Sequence, residues 1–192
     1  MGSTRARVDL GYRAWGEQLV AEGWSAYLLT FMFRELGGSD AGVRRQMERE
    51  VERVYALLVT RIVRKPTAPS SIGRLPIWFC SPDRPVFKHA KQGRWDAFVN
   101  DGRHMHAVAF IPPWSRLRDD LVTHFLQCEL VYVQPGDPLI RVDVQPITER
   151  TGYVVGYARK HIGRGLIAED ATMILPKSFA ELRGRTAYRP DT

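Results

Sequence analysis

The residues that most constrain the fold form one apolar run, 104–111, which Pro112-Pro113 ends. Just before this run, Asn100-Asp101-Gly102 is a strong signal for a hairpin turn. The sequence therefore predicts two strands, 95–99 and 103–111, that lie on the two sides of the turn. Because a short turn joins antiparallel neighbours, we expect these two strands to pair in an antiparallel arrangement.

The remaining patterns predict helices packed against a sheet. The aromatic-rich stretch 24–33 predicts a buried strand. Apolar residues recur every three or four positions over 41–63, which predicts one long helix with Ser39 or Asp40 as its N-cap. Later elements are predicted as a short strand at 76–79, a helix at 114–127, strands at 128–134 and 139–145, and a helix at about 149–162 that Thr148 caps and Gly163 ends. This order predicts an α+β fold with a central antiparallel sheet.

The length and composition suit one globular domain. The chain has 192 residues, and the loop at 66–73 is not a domain linker because the residues after it are still needed for the core. No run of eighteen apolar residues predicts a membrane span, and the first residues lack the apolar core of a signal peptide. Cys80 and Cys128 are too few for a disulfide framework, so we expect reduced thiols in a cytoplasmic protein.

The charge of the chain fits a polyanionic partner. The formal net charge is +7, and the isoelectric point is about 9.7. Lysine and arginine neutralise phosphates and release their counterions, so nucleic acid is one candidate partner. A basic surface with no such partner would have the same composition, and charge alone leaves both interpretations open.

His104 and His106 are candidate metal ligands. Alternate residues of a strand face the same way, so both imidazoles project together, and they suit a transition metal or Mn²⁺. A carboxylate as third ligand would make the site acceptable to Mg²⁺ or Mn²⁺. A three-residue hairpin loop places Asp96 opposite His106, whereas a two-residue loop turns Asp96 to the other face. The alternatives for the third ligand are Asp101, Glu35 and His89, and a chance pair of histidines on an edge strand would bind nothing.

Tyr153, Tyr157 and Lys160 are candidate catalytic residues. They are spaced i, i+4 and i+7, so they share one face of the predicted helix. Deprotonating a tyrosine at neutral pH costs roughly 4 kcal/mol, because its ordinary pKa is about 10. A metal-polarised phosphate and the Lys160 ammonium could both lower that cost. The alternative interpretation is an amphipathic helix with two core-facing tyrosines and a solvated lysine.

Taken together, these motifs resemble the HUH endonucleases, especially the rolling-circle replication initiators. The matching segments are Tyr27-Leu28-Leu29-Thr30-Phe31-Met32-Phe33, His104-Met105-His106-Ala107-Val108-Ala109-Phe110 and Tyr157-Ala158-Arg159-Lys160. The preceding Tyr153 is similar to the first tyrosine of the two-tyrosine subclass, found in phage initiators and some transposases. The resemblance covers about residues 24–165 of a single domain, and it leaves 166–192 as a C-terminal extension. Gly156 departs from the family pattern, because a lysine often precedes the second tyrosine.

The resemblance implies a fold and a mechanism. The sheet would be RRM-like, with the first motif beside the histidine strand and the tyrosine helix over the metal. His104, His106 and an acidic ligand such as Asp96 would hold Mg²⁺ or Mn²⁺. Tyr157 would attack single-stranded DNA, for example in a hairpin origin, and leave a 5′-phosphotyrosine and a free 3′-hydroxyl. Tyr153 would act as second nucleophile, and Lys160 would assist.

The same resemblance implies a role in replicating a plasmid, phage or mobile element. No Gly-x-x-x-x-Gly-Lys-Ser/Thr motif is present, so a host helicase would unwind the DNA and a host polymerase would extend the 3′-hydroxyl. The predicted contacts to DNA are Arg84, Lys88, Lys91, Arg94, Arg103, Arg159 and Arg164. His161 is expected to contact phosphate or to be solvated. Four aromatic residues could stack on bases: Trp78, Phe79, Phe87 and Trp95. For Phe79 and Trp95, packing in the core is the favoured alternative.

Three other functions are compatible with the sequence. The chain could be a non-catalytic nucleic-acid-binding module with the same sheet, which would bind DNA in a salt-sensitive way. It could be a metal-dependent nuclease without a covalent step, which would keep its activity without either tyrosine. It could also be a partner-binding protein with a chance motif, which would bind neither metal nor DNA.

Overall fold

A computed structural model of the chain describes residues 4–83, 104–163 and 171–177. Its helices are α1 (Thr4–Ala21), α2 (Asp40–Ile62), α3 (Leu121–Gln127), α4 (Glu129–Tyr132), α5 (Thr151–Ala158) and α6 (Lys160–Gly163). Its strands are β1 (Ser25–Phe33), β2 (Ile77–Asp83), β3 (His104–Ile111), β4 (Leu139–Ile147) and β5 (Met173–Leu175). A short 3₁₀ helix lies at Pro69–Ser71. Among the described residues, no helix has the length and apolar character that a membrane span requires.

The five strands form one sheet in the order β4-β1-β3-β2-β5. Every neighbouring pair is antiparallel. The predicted α+β fold with a central antiparallel sheet is therefore confirmed. The histidine strand β3 is the middle strand, and β1, which contains the first motif, lies directly beside it.

Helices cover both faces of this sheet. One face has the side chains of Leu29, Phe31 and Trp78, and it packs against the buried side of α2. The other face includes Phe79, Val108 and Phe110, and it packs against α1 and α5. This division follows from the two-residue period of a strand, which sends neighbouring side chains to opposite faces. The predicted amphipathic helix is confirmed as α2, and Ser39 caps it by accepting a hydrogen bond from the Gly42 amide.

The predicted pairing of the histidine strand is wrong. β1 pairs with β3 along one edge and β2 pairs with it along the other, over almost the whole length of β3. A strand has only two hydrogen-bonding edges, so β1 and β2 take the positions along β3 that the predicted hairpin partner would need. Residues 95–99 themselves lie outside the described part of the chain.

Two predicted elements between β3 and β4 are also corrected. Within the predicted strand 128–134, Glu129–Tyr132 form the short helix α4, and its buried Tyr132 stacks on Phe125 with ring centroids 4.4 Å apart. A short apolar run does not distinguish a buried helix from a strand, and here packing decides. The predicted helix at 114–127 begins only at Leu121, because the Asp120 side chain caps it by accepting hydrogen bonds from the next amides.

The N-terminal helix α1 is not among the predicted elements. Its apolar residues do not form a single stripe, since Val8, Leu10, Trp15 and Val20 are exposed. The helix packs through small and apolar residues such as the buried Gly16 and Leu19. A Cβ atom at Gly16 would lie 3.0 Å from Phe110 Cζ and 3.1 Å from Val155 Cγ2. Gly16 therefore allows α1 to lie close to both the sheet and α5.

Replacing Gly16 with leucine is expected to lower the free energy of unfolding by about 1–3 kcal/mol, because the added side chain overpacks this contact. The matched control is Gly11→Ala in the same helix. A Cβ atom at Gly11 has no neighbour within 4 Å, so alanine should raise the helix propensity and stabilise the protein by up to about 1 kcal/mol. Urea denaturation measures both variants. Equal stability of Gly16→Leu and the wild type would contradict the close packing.

Candidate active site

Three potential metal ligands meet at adjacent ends of β2 and β3. Asp83 lies opposite His104 in the strand register, and His106 projects from the same face two residues later. Asp83 Oδ2 is 3.0 Å from His104 Nε2 and 3.0 Å from His106 Nε2. One donor atom from each residue lies within 4.8 Å of the others, so the three side chains could hold a metal ion.

Among the described residues the third potential ligand is Asp83, whereas the predicted hairpin favoured Asp96. The pairing behind that prediction is wrong, because Thr30 of β1 and Ser81 of β2 are the residues opposite His106. Asp96 lies outside the described residues, as do two of its alternatives, Asp101 and His89. The other alternative, Glu35, is exposed and is not part of the cluster.

Asp83 was missed because the predicted strand ended at Phe79. Pro82 lies within the observed strand, and a proline usually ends a strand or restricts it to an edge. The signal that would have found Asp83 is the pairing of β2 with β3. With Cys80 opposite Ala107, counting three residues along each strand brings Asp83 opposite His104.

Hydrogen bonds keep the Asp83 carboxylate ionised. Burial by itself would raise its pKa, but hydrogen bonds from His104, His106 and Lys160 hold the pKa well below its usual range. Burial lowers the pKa of His106, although its hydrogen bond to Asp83 acts in the opposite direction. An anionic carboxylate and a neutral imidazole are the forms that bind a metal.

The His106 ring is also held from β1. Thr30 Oγ1 lies 3.1 Å from His106 Nδ1, within hydrogen-bonding distance. A hydrogen bond to one ring nitrogen fixes the ring orientation and leaves the other nitrogen for a metal. The first motif thus contacts the second one directly, through a residue that lies opposite it in the sheet.

Tyr153 and Tyr157 are both exposed, by 58% and 44% respectively. The alternative interpretation, in which both tyrosines face the core, is therefore wrong. The Tyr157 ring centroid is 6.3 Å from that of His106, so this phenol lies beside the ligand cluster. Tyr153 is one turn earlier in α5, where the Arg150 guanidinium lies 5.1 Å from its ring centroid.

The predicted helix at 149–162 is divided. It forms α5 and α6, and Arg159 lies between them. The predicted cap at Thr148 is wrong, because Arg150 takes the N-cap position with a φ of 54° and provides no side-chain cap. Lys160, the first residue of α6, still reaches the site. Its Nζ lies 2.8 Å from Asp83 Oδ2 and 4.5 Å from the Tyr157 ring centroid.

Gly156 has a structural explanation. A Cβ atom at this position would lie 2.3 Å from Arg13 Nη2 of α1. Gly152, one turn earlier, has the same relation to Glu17, with a Cβ-to-Oε1 distance of 2.2 Å. Side chains of α1 therefore occupy the space where the resembled family often has a lysine.

The predicted DNA contacts and stacking residues have mixed outcomes. Arg159 is only 3% exposed, with its guanidinium carbon 3.7 Å from the Tyr12 ring centroid and Nη1 3.5 Å from Asp9 Oδ1. This interior location, which joins α5 to α1, does not fit a DNA contact. Trp78 and Phe79 are buried, so stacking on bases is wrong for Trp78 and core packing is correct for Phe79. The following residues lie outside the described chain: Arg84, Phe87, Lys88, Lys91, Arg94, Trp95, Arg103 and Arg164.

No protein-family model, curated protein or solved structure matches this chain.

Proposed function

We propose that the protein is an HUH-type endonuclease that nicks single-stranded DNA through Tyr157. The observation that carries the proposal is the exposed Tyr157 phenol beside the ligand cluster of Asp83, His104 and His106. This arrangement joins a nucleophile to a place where a phosphate-polarising cation could bind. The antiparallel sheet, with β1 and β3 adjacent at its centre, is compatible with the RRM-like sheet of that class.

The donor set fits a divalent cation. Two imidazoles and one carboxylate suit Mn²⁺ and other transition metals, and the carboxylate makes Mg²⁺ acceptable. When bound there, the cation would supply Lewis-acid polarisation of the scissile phosphate. The same three donors also occur in other metalloenzymes, so they do not specify the reaction by themselves. The adjacent tyrosine and lysine favour phosphoryl transfer.

Tyr157 and Lys160 have complementary roles in this reaction. The Lys160 ammonium lies 4.5 Å from the Tyr157 ring centroid, where it stabilises a developing phenolate. The phenol loses its proton, and its oxygen forms a bond to phosphorus. The bond from phosphorus to the 3′-oxygen then breaks, and that oxygen takes up a proton. The products are a 5′-phosphotyrosine and a free 3′-hydroxyl.

Tyr153 is the proposed second nucleophile. It is one helical turn from Tyr157 on α5, and it is the more exposed of the two. Alternate use of two tyrosines would allow a second strand transfer, as needed to end a round of rolling-circle replication. In this role the protein would depend on a host helicase and polymerase.

Denaturing-gel capture tests the proposal. The protein is mixed with labelled, randomised single-stranded DNA that includes hairpins, with Mn²⁺, Mg²⁺ or EDTA. We expect a heat- and detergent-resistant protein–DNA band with metal and no such band with EDTA. Metal-dependent cleavage without that band would favour a nuclease with no covalent step. Salt-sensitive binding with neither band nor cleavage would favour a binding module.

A further inference from the structure

His161 is a buried imidazole to which the motifs assign no role. Its side chain is 1% exposed, so the expected phosphate contact or solvated position is wrong. His161 Nε2 lies 3.0 Å from Asp83 Oδ1, as a close polar contact and not as a linear hydrogen bond. Burying a polar ring is unfavourable unless polar partners compensate, and the Asp83 carboxylate is one such partner of His161.

The two oxygens of Asp83 have different neighbours. Oδ2 is within 3.0 Å of His104 and His106 and accepts a hydrogen bond from Lys160, whereas Oδ1 faces His161. The terminal torsion of an aspartate is broad, so a carboxylate held at one oxygen alone can rotate. A contact at Oδ1 restricts that rotation and keeps Oδ2 directed at the two strand histidines.

The contact also connects two parts of the site. Asp83 ends β2, while Lys160 and His161 begin α6, which follows α5 and its Tyr157 after one intervening residue. Consecutive residues of α6 therefore hold both oxygens of one carboxylate. The contact between His161 and Asp83 therefore also holds α6, and with it the neighbouring Tyr157 helix α5, in place relative to the sheet.

We infer that His161 is a positioning residue that orients Asp83 for metal binding. The inference rests on the proposed metal centre and deepens it. Residues that contact metal ligands without touching the metal orient those ligands, and their loss typically lowers metal affinity by about 10–100-fold. His161 itself touches neither DNA nor the reacting atoms in this role.

The test compares two substitutions of similar size, His161→Leu and His161→Gln. Leucine keeps the packing and removes the polar atom, whereas glutamine can place an amide donor near Asp83 Oδ1. Mn²⁺ binding is measured by electron paramagnetic resonance of the free ion, without DNA and well below each variant's unfolding temperature. We expect leucine to weaken Mn²⁺ binding by about 10–100-fold and glutamine to restore most of it.

His124→Ala is the matched control. Its ring lies in another cluster, with Nε2 2.7 Å from Tyr132 Oη, so its loss should leave Mn²⁺ affinity unchanged. Wild-type affinity in His161→Leu would overturn the inference, and so would a glutamine variant as weak as the leucine variant.

The outcomes separate this inference from the proposed function. A wild type that binds Mn²⁺ but captures no DNA would defeat the nicking proposal, and the role of His161 in metal binding would stand. A wild type that captures DNA while His161→Leu keeps full affinity would defeat the His161 inference alone. A wild type that binds no Mn²⁺ would defeat both the metal centre and the inference.

Discussion

Tyr157→Phe is expected to reduce metal-dependent covalent capture of single-stranded DNA by roughly 10³-fold or more, because it removes the attacking oxygen. The exposed ring lies 6.3 Å from His106 between centroids, and phenylalanine keeps this ring and its contact with Lys160 while it loses the hydroxyl. Denaturing gels with labelled DNA and Mn²⁺ measure the effect. Mn²⁺ affinity and the free energy of unfolding should remain close to those of the wild type.

Tyr153→Phe is the matched control for this substitution. It removes the same atom one turn away on α5, so first-strand capture should persist and only transfer to a second strand should be lost. Full capture by Tyr157→Phe would instead identify Tyr153 as the first nucleophile. Capture that survives the double substitution would exclude both Tyr153 and Tyr157 as the nucleophile.

Asp83→Asn is expected to weaken Mn²⁺ binding by at least about 100-fold, the upper end of the loss seen for residues that only support a ligand. Asparagine keeps the size of the side chain but removes the anionic charge from a site where one carboxylate faces three imidazoles and a lysine. Covalent capture should fall in parallel. Titration with Mn²⁺ at fixed pH measures the affinity.

Asp143→Asn provides a control on the same face of the sheet. Asp143 lies opposite Thr30 on β4, and its carboxylate interacts with Arg141 and Gln145 instead of the histidines. Its substitution changes the charge by the same amount and should leave Mn²⁺ affinity unchanged. Equal losses in both variants would indicate a general effect of charge and would contradict a ligand role for Asp83.

The parts of the fold that could be predicted are those with strong local periodicity. The three- and four-residue spacing of α2 and the two-residue period of His104 and His106 are properties of short segments, and both are confirmed. That Tyr153 and Tyr157 share one face of the helix also follows from local spacing, although the helix divides at Arg159. The spacing does not decide between a core-facing and an exposed pair, and both tyrosines are exposed.

The parts that could not be predicted depend on distant contacts. The role of Asp83 is set by the register between β2 and β3, which a local pattern interrupted by Pro82 does not specify. The close packing of α1 depends on Gly16, whose contacts with Phe110 and Val155 arise only when α1 meets the sheet and α5. The helical state of α4 is decided by how Tyr132 packs against Phe125.

The position of β3 between two partners has a consequence for refolding. A slip of one residue against β2 or β1 would send His104 and His106 to the face that α2 covers and would bring Met105 to the site. Such a molecule would retain its helices and strands by circular dichroism, yet its ligand cluster would be dismantled. Metal affinity is thus a spectroscopic reporter of strand register, able to separate correctly paired molecules from compact misfolded ones.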